Sequence, residues 1–338
     1  MISMVEYVDA VGHQLSVDLV SGQALSQIRA IAKQLPPLSV AGFECRLGAG
    51  QDRVDFQINL RPLALNLPAR SAHHPEWFSE DILGRWLDPE SVLHERVRDV
   101  WLGFDLVDEN SETPVSSIVF GLDQVATCDA RALTEVAACL CQPSVKVKSN
   151  LRLCVDSLPG KATISHVGRM LSRQSNGIRV RARGLVAGEV RAYLSSIGST
   201  DANSVSETVA GPFAQFVDAT VLLVDVGETV EPGIGLECFL NLQPHREPRW
   251  QSLLSYLVDR GLCTVEKHDA LLAWPGLTQA NGASSWPVNV TWGDRLLGGR
   301  ALSVFWRKIN HIKLLFERDS LSAKAYLAFG HRWLGRRE

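Results

Sequence analysis

The chain has 338 residues, 46% hydrophobic and 21% charged, a balance that excludes a mostly disordered or collagen-like protein. Lys and Arg number 34 against 37 Asp and Glu, giving a net charge of −3, which argues against a general nucleic-acid binder. Apolar runs stay shorter than the roughly 18 residues a membrane-crossing helix needs.

The opening stretch, MISMVEYVDAVGHQL, carries acids early and has no basic region followed by an apolar core, so no secretory leader is expected. SGQALSQIRAIAKQL then reads as a helix capped by Ser21. The first strand pair is GFECRL and RVDFQINLR around a GAGQD turn. Val54, Phe56, Ile58 and Leu60 fall on one face, and Arg53, Asp55, Gln57, Asn59 and Arg61 on the other. SEDILGRWLDPESVLHERVRDV reads as helical, followed by the second pair, VWLGFDLV and VSSIVFGL. DARALTEVAACL is the next helix, and ATISHVGRML and GIRVRARGL form the third pair. There Ile178, Val180 and Ala182 alternate with Arg179, Arg181 and Arg183. VAGEVRAYLSSIG and SVSETVAGPFAQFV are helical and precede the fourth pair, ATVLLVDV and GIGLECFLN. EPRWQSLLSYLVDRGL and VEKHDALLAW are the last predicted helices. Residues 274–300, rich in Gly, Pro, Asn and Trp, break the rhythm and read either as a lid or as a surface excursion anchored by its tryptophans. The fifth pair is NHIKLLFE and AKAYLAFGH.

Helices and hairpins thus alternate as α-β-β-α about five times. The expected fold class is α+β: one domain over residues 1–338, a ten-stranded antiparallel sheet with helices on its apolar face. A flat sheet would leave the polar face in water, whereas a closed barrel would turn it inward around a wet lumen and remove the exposed edges. Both solutions satisfy the pattern.

The seven cysteines are odd in number and include no CxxC pair, so neither a disulfide framework nor a zinc site is expected. Reduced thiols and a cytoplasmic location are the corresponding reading. Dinucleotide, P-loop, nucleophile-elbow and HExxH motifs are absent, as is an Asp-rich cluster for a metal-bound diphosphate.

The order of elements, together with Lys324-Ala325-Tyr326, Arg179-Val180-Arg181 and Glu44 on the first strand, resembles the ABBA-type aromatic and peptide prenyltransferases. The resemblance covers about residues 20–335. It implies a barrel whose lumen brings a prenyl diphosphate to a small aromatic or peptide side-chain acceptor, with no nucleic-acid or membrane partner. Any Mg²⁺ would come with the diphosphate, and no other cofactor is implied. Fixed cations in a partly dry cavity stabilise the charge that develops on the leaving diphosphate. The residues on the inward faces suited to this are Arg46, Arg61, Arg179, Arg181, Lys313, Lys324 and Tyr326. Glu44 and Glu237 are candidate bases for the proton lost by the acceptor, and His166 and His311 are candidate acid/base groups. The same cations would equally neutralise the inward acids Asp55, Asp105, Asp225 and Glu237 in a purely structural network. A non-catalytic peptide- or ligand-binding protein of the same fold is therefore the alternative. The small number of tyrosines, four in all with Tyr326 alone on a predicted strand, favours that alternative.

Overall fold

Alternation along the strands decides the architecture. Each strand turns an apolar row to one side and a polar row to the other, and the helices have an apolar stripe to bury. The computed structural model describes residues 3–61, 80–106, 115–123, 128–172, 177–280, 286–298, 300–317 and 320–335. The connections at 107–114 and 173–176, and positions 281–285 and 299 of the Trp-rich segment, lie outside them.

Helices α1 (Met4–Gly12) and α2 (Gly22–Lys33) lead into strands β1 (Val40–Arg46) and β2 (Val54–Leu60). Helices α3 (Glu80–Leu87) and α4 (Val92–Arg96) precede β3 (Val97–Asp105) and β4 (Val115–Leu122). Helices α5 (Ala130–Leu140) and α6 (Val145–Asp156) precede β5 (Thr163–Met170) and β6 (Ile178–Arg183). Helices α7 (Ala187–Ser196) and α8 (Ala202–Ala210) precede β7 (Ala219–Val226) and β8 (Ile234–Phe239). After α9 (Arg249–Asp259), α10 (Val265–Ala273), a short β9 (Gly276–Thr278) and α11 (Val288–Leu296), the chain ends in β10 (Ala301–Glu317) and β11 (Ser320–Gly335).

Ten of these strands pair antiparallel in the order β1 through β8, then β10 and β11. β11 pairs back onto β1, so the sheet closes into a barrel; β9 adds to the first half of β10. The seam is in register, with Glu44 opposite Tyr326 and Arg46 opposite Lys324. Closure answers the question the alternation left open, because it removes the two edges and turns the charged face inward.

The hydrophobic core lies outside the barrel, between sheet and helices. Phe329, Phe43, Phe56 and Phe104 form a belt across adjacent strands, with ring centroids 5.2, 6.0 and 6.1 Å apart in that order. The buried indoles of Trp86, Trp250 and Trp274 each donate to a backbone carbonyl, of Val97, Leu242 and Lys308 respectively, so their burial leaves no donor unmet. Ser21 caps α2 as its sequence predicts, its hydroxyl accepting from the Ala24 amide at 3.1 Å.

The structure differs from the sequence reading in four respects. The stretch read as one helix from Ser79 to Val100 breaks around Pro89, and from Val97 onward it is strand. α1 and α6 are additional helices. The Trp-rich segment contains β9 and α11, and its described residues line none of the cavity described below. α11 is instead fastened to α1 and to the strand arms: Asn289 donates to the Tyr7 hydroxyl, and Ser303 and Trp333 both donate to Asp294. Finally, β10 and β11 run far beyond the predicted pair. A bulge at Asn310 shifts the register between Ile309 and His311, so the period-2 pattern changes phase there and hides the first half of β10.

Candidate functional site

The inward rows of the strands enclose a cavity of about 630 Å³. The candidate binding, base and acid/base residues named from the sequence all line it: Glu44, Arg46, Arg61, His166, Arg179, Arg181, Glu237, His311, Lys313, Lys324 and Tyr326. Exposed arginines stand at both ends, Arg53 beside the β1–β2 turn and Arg61 and Arg98 at the other.

The centre of the lumen is built on the β1–β11 seam. Lys324 donates to Glu44 Oε1 at 2.6 Å, and Gln57 donates to Glu44 Oε2 at 2.9 Å. The Tyr326 hydroxyl also hydrogen-bonds Glu44. Burial pushes the Glu44 carboxyl up, but Lys324 and Lys313 outweigh it, and with the hydrogen bonds they hold Glu44 at about 2. Burial and the neighbouring carboxylates Glu44 and Glu237 push the Tyr326 hydroxyl well above its ordinary value, so it stays a donor.

Most of the other cations are also matched. Arg179 makes a two-bond fork to Asp225 at 2.8 and 2.7 Å. Arg181 donates to Glu237, which it holds below the usual carboxylate range against the upward push of burial. Arg46 reaches Asp55, Arg53 bridges Asp55 and Asp105, and Arg98 pairs with Asp99. Arg61, at the rim, donates to the Asn59 side chain.

Lys313 differs from these. It is 5% exposed, and among the described residues it has neither a hydrogen bond nor an ion pair within 4 Å. Burial, with Arg179 and Lys324 nearby, pushes its ammonium down to about 7 despite Glu44 and Glu237. His311, the next inward residue on β10, stacks on Tyr326 at 4.1 Å and packs against Phe239 on its other side. Burial takes His311 down to about 4, so it is neutral near pH 7. His166 is neutral for the same reason, reinforced by Arg181, Arg98 and Arg183, and its ring meets the Ser165 hydroxyl.

Two lumen features escaped the sequence reading. Asp55, counted there only as an inward acid, is raised to about 6 by burial and by Glu44 opposite it, with Asp105 adding to the effect against Arg46. That makes it the cavity carboxyl best poised to accept a proton near neutrality. The strict alternation of β2 already placed Asp55 inside, but nothing in the sequence marked its carboxylate neighbours. Arg98 and Asp99 fall in a stretch whose pattern predicts a helix, so the sequence does not place them in the lumen. The aromatic lining is sparse: Tyr326 and Trp101 are joined only by the two histidines. Tyr7, Tyr193 and Tyr256 lie on α1, α7 and α9, where Tyr7 and Tyr193 are buried in the core and Tyr256 is partly buried against it.

Among the described residues no group of three or more His, Cys, Asp or Glu is placed to hold a metal, and no helix is long and apolar enough to cross a membrane. Cys45, Cys154, Cys238 and Cys263 are buried thiols.

No protein-family model matches the chain, and no curated protein matches it. Among solved structures, the crystal structure of the prenyltransferase PriB in its apo form superposes with a TM-score of 0.51 over 97% of this chain and 93% of that one, at 14% sequence identity. At that identity the likeness is one of fold: both chains build the barrel of αββα units with helices outside.

Proposed function

We propose that the lumen binds a prenyl diphosphate and transfers its prenyl group to an aromatic or peptide side-chain acceptor. The observation that carries this reading is Lys313, a buried cation without a carboxylate partner, set beside Lys324 and Arg179 in a cavity of about 630 Å³. Such a group is completed by an anion entering the cavity, and a diphosphate supplies one. The volume lies within the roughly 300–1,000 Å³ range of ligand pockets. The fold shared with PriB directs the choice among anions toward a prenyl diphosphate.

On this reading Lys324, Lys313 and Arg179 take the diphosphate, with Arg46 and Arg181 beside them. As the carbon–oxygen bond breaks, these cations stabilise the charge gathering on the leaving group. Tyr326 presents the only tyrosine face of the lumen to the allylic cation. Asp55 takes the proton that the alkylated acceptor sheds. Glu44, held at about 2 and bonded to Lys324, instead orients that lysine.

A second reading, a binding protein without catalysis, is favoured by one observation. Arg46, Arg53, Arg98, Arg179, Arg181 and Lys324 already have carboxylate partners, so little positive charge remains uncommitted. Isothermal titration with dimethylallyl and geranyl diphosphate, on the wild type and on Lys324→Ala, tests the first reading. Micromolar binding that the substitution weakens more than about tenfold, or roughly 1.4 kcal/mol, supports it. No binding of either diphosphate leaves the second.

A further inference from the structure

The geometry assigns Lys313 a second chemistry: its side-chain amine is a nucleophile that captures a small phosphate-bearing aldehyde in the lumen as an imine. This inference does not depend on the prenyl-diphosphate reading.

Three observations converge on Lys313. Its side chain lies across Gly235 of the neighbouring β8, where a β-carbon would meet Lys313 Cε at 2.7 Å, so this glycine leaves the room the lysine occupies. The amine is buried, lines the cavity, and has no hydrogen-bond or ion-pair partner among the described residues. The groups facing it are Lys324 on β11, Arg179 on β6, Glu44 on β1 and Glu237 on β8, while β7 contributes the neutral Leu223. Burial among cations is the environment that keeps a lysine amine uncharged and nucleophilic near neutral pH. Here burial and two of those cations bring it down to about 7.

The same surroundings select the ligand. Lys324 and Arg179 favour an anionic substituent beside the amine, and a phosphate meets that need. The cavity has room for an aromatic or short aliphatic aldehyde carrying it. In the step, the Nζ lone pair attacks the carbonyl carbon and forms a carbon–nitrogen bond, while the carbonyl π pair moves to oxygen. The nitrogen sheds a proton and the oxygen gains one. The nitrogen then gives up its second proton, the hydroxyl gains one and leaves as water with the carbon–oxygen bond broken, and the nitrogen lone pair closes the carbon–nitrogen double bond. Amine plus aldehyde gives imine plus water, with no oxidant or reductant consumed.

The test uses the full chain and pyridoxal 5′-phosphate, an aromatic aldehyde bearing a phosphate. Protein and probe are mixed near neutral pH, any imine is fixed with borohydride, and the adduct is located by peptide mass mapping. The expected result is one adduct per chain on Lys313, formed at least about tenfold faster than on any exposed lysine because a far larger fraction of this amine is neutral. Lys313→Met keeps the apolar stem but has no amine to form the imine, so it loses that adduct while still unfolding cooperatively. Should that variant misfold, the wild-type map decides alone. Adducts spread over exposed lysines, with Lys313 unmodified, would overturn the assignment. Inorganic pyrophosphate separates the two readings. Modification of Lys313 that pyrophosphate does not suppress supports the amine and counts against the diphosphate site. A chain that binds diphosphate but leaves Lys313 unmodified overturns the amine alone.

Discussion

A β-carbon on Gly42 would lie 2.3 Å from the carbonyl oxygen of Leu327, so the β1–β11 seam closes at a separation that only glycine permits there. The oxygen is backbone on the partner strand and cannot swing aside. Gly42→Ala should therefore part the strands beside the Glu44–Lys324 bond and cost about 2–4 kcal/mol of stability. Urea unfolding would show it as a lowered midpoint. An alanine variant as stable as the wild type would mean that the seam gives freely and does not set the lumen.

That close approach could not be read from the chain, because it depends on which strand follows which around the ring. What could be read was the alternation. Ile178-Arg179-Val180-Arg181 and Ile312-Lys313-Leu314 each announce an apolar side and a charged side, and the barrel places them accordingly. Alternation failed where its phase slipped, at the Asn310 bulge, and where a helix ran directly into a strand, at Arg96–Val97. The site was legible as a set of inward residues but not as a set of partners. Arg179 with Asp225, Arg181 with Glu237 and Lys324 with Glu44 are pairs of distant sequence, and those pairings decide which cation remains uncommitted.

Lys267 illustrates a distant partnership of another kind. From α10 its ammonium donates to the carbonyl oxygens of Arg46, Gly48 and Gln51, at 3.0, 3.2 and 2.7 Å, and so pins the β1–β2 turn. Lys267→Met keeps the apolar stem and leaves three carbonyls without that donor. The expected cost is about 2–4 kcal/mol in chemical denaturation. A change within about 0.5 kcal/mol, the range of an ordinary surface substitution, would show that water replaces the ammonium there.

Lys313 gives stability a definite pH dependence. Its folded-state value, about 7, lies below the 10.5 of a free lysine. Between those values the unfolded chain binds a proton that the folded chain does not, so this group makes stability rise with pH from about 7 to 10.5. Below about pH 7 both states carry the charge and the penalty is complete. Lys313→Met should thus be more stable than the wild type near pH 6.5, by a few kcal/mol at about 1.4 kcal/mol per pKa unit, and the gain should shrink toward pH 10. Urea unfolding at the two pH values measures it. An equal difference at both would show that the lysine is not charged at a cost in the fold.

Which carboxylate accepts the acceptor's proton is decided by a pH–rate profile. Glu44 and Asp55 are register partners with opposite shifts, about 2 and about 6. A base must be ionised to act, and the more weakly ionised carboxyl is the stronger base. With dimethylallyl diphosphate and a short peptide carrying tryptophan and tyrosine, turnover through Asp55 should fall about tenfold per pH unit below about pH 6. Turnover through Glu44 would stay level far below that. Asp55→Asn should lower the rate by about 10²–10⁴-fold and abolish the break in the profile, while diphosphate affinity changes much less. Glu44→Gln removes the partner that orients Lys324, so it should act mainly on diphosphate binding; because Glu44 also helps to raise Asp55, the break should move below pH 6 and not vanish. A break that survives Asp55→Asn and disappears in Glu44→Gln would reverse the two roles. A wild type that binds the diphosphate without transferring it at any pH would identify the lumen as a binding site.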